Sequence, residues 1–279
     1  MINAIRMDVS RVFKGKAFRI TFLIWVFTMM FITLMNIKFN STIPENAEYY
    51  GDTDYLYQDP SWEGDWYDYD YTKTPIHANI ENLLSGGAIL LFVGIFASIY
   101  VSKEKTSGFL KNISNHVPDR SILIISKLIG MAVYNFTIFV GMYVGIGLVQ
   151  LVMLGKIIVG SVGTTFKLLG LFYLMSLAFA AVIILLSVVC ANDAAAISLS
   201  CILSSGFFTM IYELISMLIN KYTPAENFDL TKYTLTGNIV EVSEFMTDEK
   251  MVFIVILSLC YLVICTVLAG IVYKKKDVV

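Results

Sequence analysis

The chain has 279 residues, 57% of them hydrophobic and only 15% charged, with a mean hydropathy of +0.72 and a formal net charge of −2. Soluble domains carry about 25% charged and about 45–50% apolar residues, so the composition argues against a soluble globular enzyme and excludes a disordered chain. The apolar residues are gathered into runs of about 20, the length that crosses a ~30 Å hydrocarbon core, and an integral membrane protein is expected.

Residues 1–19 precede the first apolar run. Ile2, Ile5, Val9, Val12, Phe13, Ala17 and Ile20 recur at helical spacing, with Arg6, Ser10, Arg11 and Lys14 on the remaining surface. This predicts an amphipathic helix lying on the inner leaflet and turning into the first span. The alternative is a plain basic flank. A cleaved signal peptide is not expected, because the apolar run is too long and no A-x-A site follows it.

Six spans are predicted, at 20–37, 83–102, 128–154, 168–191, 194–219 and 251–273. Backbone amides in lipid must be satisfied within their own segment, so each run is read as a helix. The alternating segments of a transmembrane barrel are absent from the pattern. The fold class is therefore all-α: an elbow helix (1–19) and a six-span domain (20–279), with an acidic aromatic external loop at 39–82 and a second external loop at 220–250.

The 39–82 loop carries ten carboxylates against a single lysine, Lys73. Its tyrosines alternate with aspartates around Trp62, Asp65, Trp66, Asp68 and Asp70. Aromatic rings give contact area and carboxylates favour cations, so these residues form a candidate docking surface for a cationic amphipathic peptide such as a bacteriocin. The alternative is a solvated cap packed on its own aromatics.

The 103–121 loop carries Lys103, Lys105, Lys111 and Arg120 around a short apolar helix. Thr106 or Ser107 is expected to cap that helix and Pro118 to stop it. Phe109, Leu110, Ile113 and Val117 form its apolar patch, which suits a protein partner; rest on lipid headgroups is the alternative. Farther along, Asn135 and Gln150 are expected to face protein. Gly141-x-x-x-Gly145 permits close helix approach, either within the chain or at a pathway or dimer seam. Asp193 is expected to cap the fifth helix. Glu213 is the one carboxylate well inside a predicted span, beside Tyr212. It either snorkels or hydrogen-bonds another helix, or it lines the outer part of a pathway. The four cysteines fall in spans and suggest no disulfide framework.

Lysine and arginine set the orientation. Thirteen of the twenty lie in the segments on one side, which include both termini and the 103–121 loop. Both termini are therefore expected in the cytoplasm. No phosphate-loop motif is present. His77 and His116 are the only histidines and fall on opposite predicted sides, so neither a zinc centre nor a Ser–His or Cys–His couple is expected. Too few ionisable groups lie within the spans to favour an ion-coupled carrier.

Three stretches carry a resemblance: the amphipathic N-terminal helix, the loop with Glu104-x-x-x-Gly108 followed by the Asp119-Arg120 pair and Lys127, and the tail Lys274-Lys275-Lys276-Asp277. Together they resemble the ABC-2 type permease family, the membrane subunits of bacterial ABC exporters. The resemblance implies a chain without ATPase activity or cofactor of its own. A separate cytosolic ABC ATPase would bind ATP and magnesium and receive the loop helix through Glu104, Gly108, Phe109, Leu110, Ile113, Val117 and Arg120. It also implies a second permease subunit, identical or homologous, in a bacterial plasma membrane. Membrane lipid and an amphipathic cargo (peptide, bacteriocin, drug or lipid-like) are the remaining expected partners; no nucleic acid is expected. Asn135, Tyr212 and Glu213 are the candidate pathway residues. The large acidic loop departs from the family's pattern and leaves the cargo unassigned. An ATP-independent membrane-embedded peptide-binding or immunity protein is the alternative.

Overall fold

The structure, a computed structural model, describes residues 2–42, 73–106, 121–190, 192–222 and 228–275. Among these residues there are helices and connecting segments and no strand. In chain order they are α1 (Ile2–Lys14), α2 (Lys16–Thr42), α3 (Ile76–Ser85), α4 (Ala88–Thr106), α5 (Ser121–Leu154), α6 (Val162–Val189), α7 (Asp193–Ser204), α8 (Phe207–Tyr222), a 3-10 turn (Thr231–Tyr233), α9 (Leu235–Val240) and α10 (Asp248–Lys275). Four of them, α2, α5, α6 and α10, are each long and apolar enough to cross a membrane. Two further pairs qualify only together and are sharply bent: α3 with α4 by 66°, and α7 with α8 by 64°.

The bends have a local cause. Gly87 (φ 71°) and Gly206 (φ 75°) take the left-handed conformation that other residues avoid. The 83–102 run expected as one straight helix therefore breaks at Gly86-Gly87, and part of the 39–82 segment, from Ile76 on, is already helical. The 194–219 run breaks at Ser205-Gly206. Asn192, not Asp193, caps α7: its side chain accepts from the Ala194 amide at 3.0 Å, and Asp193 is the first helical residue. Asparagine reaches that amide as well as aspartate does. Thr106 is the last residue of α4, and the helix that Thr106 or Ser107 is expected to cap lies outside the described residues.

α1 is separate from α2, as the amphipathic pattern predicts. The Gly15 amide closes α1 on the Arg11 and Val12 carbonyls at 3.0 and 3.3 Å, and a Cβ on Gly15 would press on the Arg11 carbonyl. α6 is the most enclosed long helix, packed among α10, α4 and α5, while α2 and α10 lie at the periphery with broad apolar faces exposed. Such faces suit lipid, because hydrocarbon solvates them. α2 lies on α5 where Phe22 and Val26 cover Gly141, and Val26 and Met30 cover Gly145. The Gly-x-x-x-Gly pattern is thus a contact within the chain. Asn135 and Gln150 are both fully buried against protein, as expected.

Contacts fix the two ends of the bundle. At one end, α1 meets the end of α4 and the start of α5, and Ser121 lies under Gly270 of α10. At the other, residues 73–81 meet the α5–α6 turn and Glu244. The helix α1 and the last turns of α10 therefore lie at one end of the molecule, the end that is richer in lysine and arginine among the described residues.

Candidate functional site

At the basic end α1 carries one residue that its amphipathic pattern does not advertise. Asp8 stands among the apolar positions Ile5, Val9 and Val12 and is fully buried, 0% exposed. The Ser126 hydroxyl, on α5, donates to Asp8 Oδ2. Arg11 Nη1 lies 3.7 Å from Asp8 Oδ1, an ion pair one turn along the helix. The Tyr100 hydroxyl, near the end of α4, donates to the Asp8 carbonyl at 3.3 Å. Gly130 makes room, since a Cβ there would fall 2.8 Å from the Tyr100 hydroxyl oxygen. Beside Ser126 sits Lys127, 1% exposed. A buried carboxylate is costly unless paired and hydrogen-bonded, so these contacts pin α1 to α4 and α5.

An aromatic stack extends the junction toward the membrane centre. Phe96 and Tyr134 lie face to face at 3.8 Å between centroids, with Phe18 edge-on to Tyr134 at 5.9 Å. α2, α4 and α5 are thereby joined just inside the polar junction.

The segment between α4 and α5 leaves and returns at this junction. Glu104 lies in the last turn of α4, its side chain outside the described residues. Gly108, Phe109, Leu110, Ile113, Val117 and Arg120 lie outside the described residues as well. What the structure adds is the frame around them: Asp8, Tyr100, Ser126 and Lys127. Of these, sequence reasoning named only Lys127. The available signal was an aspartate three residues after Ile5 and four before Val12, within an apolar stripe.

In the middle of the molecule, Asn135 Nδ2 donates to the Ser176 hydroxyl at 3.1 Å, linking α5 to α6, while Asn135 Oδ1 is buried without a hydrogen bond. Tyr212 and Glu213 lie elsewhere, on α8, whose packing runs mainly to α7 and the 3-10 turn. Glu213 is exposed and Tyr212 half-buried. The structure does not bring these two together with Asn135 in one site.

At the other end a polar clasp holds the chain where it emerges from the acidic segment. Gln150 Nε2 donates to the Thr74 carbonyl at 3.0 Å, and Gln150 Oε1 accepts from the Ile158 amide at 3.1 Å. The Ile76 amide donates to the Ile158 carbonyl at 2.8 Å. His77 Nε2 lies 3.1 Å from Glu244 Oε2, and the Glu244 amide donates to Glu81 Oε2 at 3.0 Å. Gly160 (φ 71°) packs so closely that a Cβ would fall 2.5 Å from the His77 ring. Nearby, the Thr231 hydroxyl and amide hydrogen-bond Asp229, which holds its carboxyl below the usual carboxylate range. Trp62, Asp65, Trp66, Asp68 and Asp70, the candidate docking surface, lie outside the described residues. Among the described residues no group of three or more His, Cys, Asp or Glu side chains is placed to hold a metal ion.

No protein-family model matches the chain, and comparison with curated proteins finds no significant match.

Proposed function

We propose that the chain is the membrane subunit of an ATP-driven exporter of the ABC-2 permease type, moving an amphipathic cargo outward. In this reading it crosses a bacterial plasma membrane six times, each bent pair counting as one crossing, with both termini in the cytoplasm. It binds no nucleotide itself. A separate cytosolic ATPase holds ATP and magnesium, and a second permease subunit completes the pathway.

The observation that carries the reading is the junction at the basic end. An amphipathic helix, distinct from the first long helix, is tied by Asp8 to the two helix ends from which residues 107–120 depart. A partner pressing on that segment acts on α4 and α5 directly and, through Asp8, on α1. This is the layout needed to pass a push from a cytosolic protein into membrane helices. The charge asymmetry agrees with it, since the same end carries most of the lysine and arginine.

The test is co-purification with the candidate ATPase and ATP hydrolysis in nanodiscs containing cargo. Replacing Phe109 and Leu110 with Asp places unpaired charge in the proposed interface, at a cost of several kcal/mol. The complex is expected to be lost while the variant still inserts. Unchanged co-purification would reject the assignment, and a wild-type chain that binds a peptide without any ATPase would favour a sequestering or immunity role.

A further inference from the structure

Between α5 and α6 lies an apolar groove of about 470 Å³. Phe139, 5% exposed, and Tyr173 meet edge to face at 6.1 Å on its inner side. Phe136 and Phe166, 63% and 73% exposed, stand at its rims, with Val140 and Val162 beside them. Gly170 leaves the groove open, because a Cβ there would touch nothing within 4 Å.

Two properties restrict what can fill it. Two of the three hydroxyls on its lining are committed within the chain: Thr165 donates to the Ser161 carbonyl at 2.8 Å and Tyr173 to the Ala132 carbonyl at 3.1 Å, and the third belongs to half-buried Tyr143. The rest of the lining is apolar, so an occupant is selected chiefly as hydrocarbon. The groove also has a definite length. It follows α6 from Val162 to Tyr173, a rise of about 16 Å at 1.5 Å per residue. One leaflet of a ~30 Å hydrocarbon core is about 15 Å deep. The mouth lies at the α5–α6 turn, where Lys156 is exposed, so a cation stands at the level where an anionic headgroup would lie.

We propose that this groove is a binding site for one acyl chain of a phospholipid, taken from the leaflet at the α5–α6 turn. Its rims face outward at membrane depth, so a lipid enters sideways without passing the protein core. The bound chain completes the packing between α5 and α6, the helices that Asn135 and Ser176 join a little deeper. The inference is independent of the exporter reading, because any integral membrane protein with this groove would hold the chain.

The test uses the full chain in nanodiscs of phosphatidylglycerol containing a fraction with a photoreactive group along the acyl chain, with labelled residues mapped by mass spectrometry. Label is expected to concentrate in 136–143 and 162–173, several-fold above the exposed apolar faces of α2 (Leu23, Phe27) and α10 (Ile256, Val263). Gly170→Phe, which fills the open space, and Val140→Trp, on the opposite rim, should each remove the excess. Even labelling of all lipid-facing surfaces would overturn the proposal, as would excess label that survives both variants. Cross-linking of Gly170→Cys to a second copy of the chain would also overturn it by naming a helix as occupant. If neither filled variant folds, the wild-type map alone decides.

Discussion

Asp8 concentrates the energetics of the basic end in one side chain. Asp8→Ala removes the acceptor of the Ser126 hydroxyl and leaves that hydroxyl buried, with only the Leu123 carbonyl at 3.0 Å as an alternative acceptor. A hydrogen bond to a charged group contributes about 1.5–3 kcal/mol, and a loss of that size is expected. The Arg11 pair adds little, because about a third of that side chain is exposed and it can turn to water. Asp8→Asn keeps an acceptor and should cost less than Asp8→Ala. Thermal unfolding of the detergent-purified single and double variants with Ser126→Ala measures the coupling. Strict additivity would mean that the contact contributes nothing. At this scale the sequence was only partly legible. Asn135 and Gln150 stand out as polar residues in apolar runs, and both are buried. Asp8 is hidden because a basic, amphipathic segment is read by its average, and an aspartate near arginines looks like surface.

Among the elements, the glycines divide into two kinds. Gly141 and Gly145 face α2, and a Cβ on Gly141 would fall 2.7 Å from the Phe22 ring. Gly141→Leu is expected to destabilise the chain by about 1–3 kcal/mol, the usual cost of overpacking. A disulfide between Phe22→Cys and Gly141→Cys should form within one chain, and a disulfide-linked dimer instead would contradict the α2–α5 contact. Gly87 and Gly206 are different, since their backbone and not their neighbours demands glycine. Gly206→Ala should cost about 1–2 kcal/mol, the left-handed penalty for a residue with a Cβ, read as a lower unfolding temperature. These bends explain why helices are legible in the sequence while their paths are not. Hydropathy runs unbroken across Gly86-Gly87 and Ser205-Gly206, and it reports the solvent of a segment rather than its direction. The Gly-x-x-x-Gly spacing likewise signals a close helix contact without naming the partner helix.

At the scale of the whole molecule, the proposed six-crossing path depends on what the bent pairs do. A bend of 64° is compatible with a re-entrant loop, which would return residue 222 to the side of residue 193. The packing argues for a crossing. α7 begins at the turn after α6, at the basic end, and rises antiparallel to α4: the Ser98 hydroxyl donates to the Ala196 carbonyl at 3.4 Å, and Gly94 packs on Ser200. The chain that follows α8 meets α3 at the opposite end, through Glu244 with His77 and Glu81. Between Asn192 and Glu244 the chain has therefore changed ends. With the four natural cysteines replaced, single cysteines at Lys156, Lys232 and Asp248 should react with a membrane-impermeant maleimide on intact cells. Cysteines at Lys14 and Asn192 should react only after the membrane is opened. Reaction of the Asn192 and Lys232 positions from the same side would make α7 and α8 a re-entrant loop and remove one crossing. Reversal of the whole pattern would put the lysine- and arginine-rich end outside, where no cytosolic ATPase could reach the segment between α4 and α5.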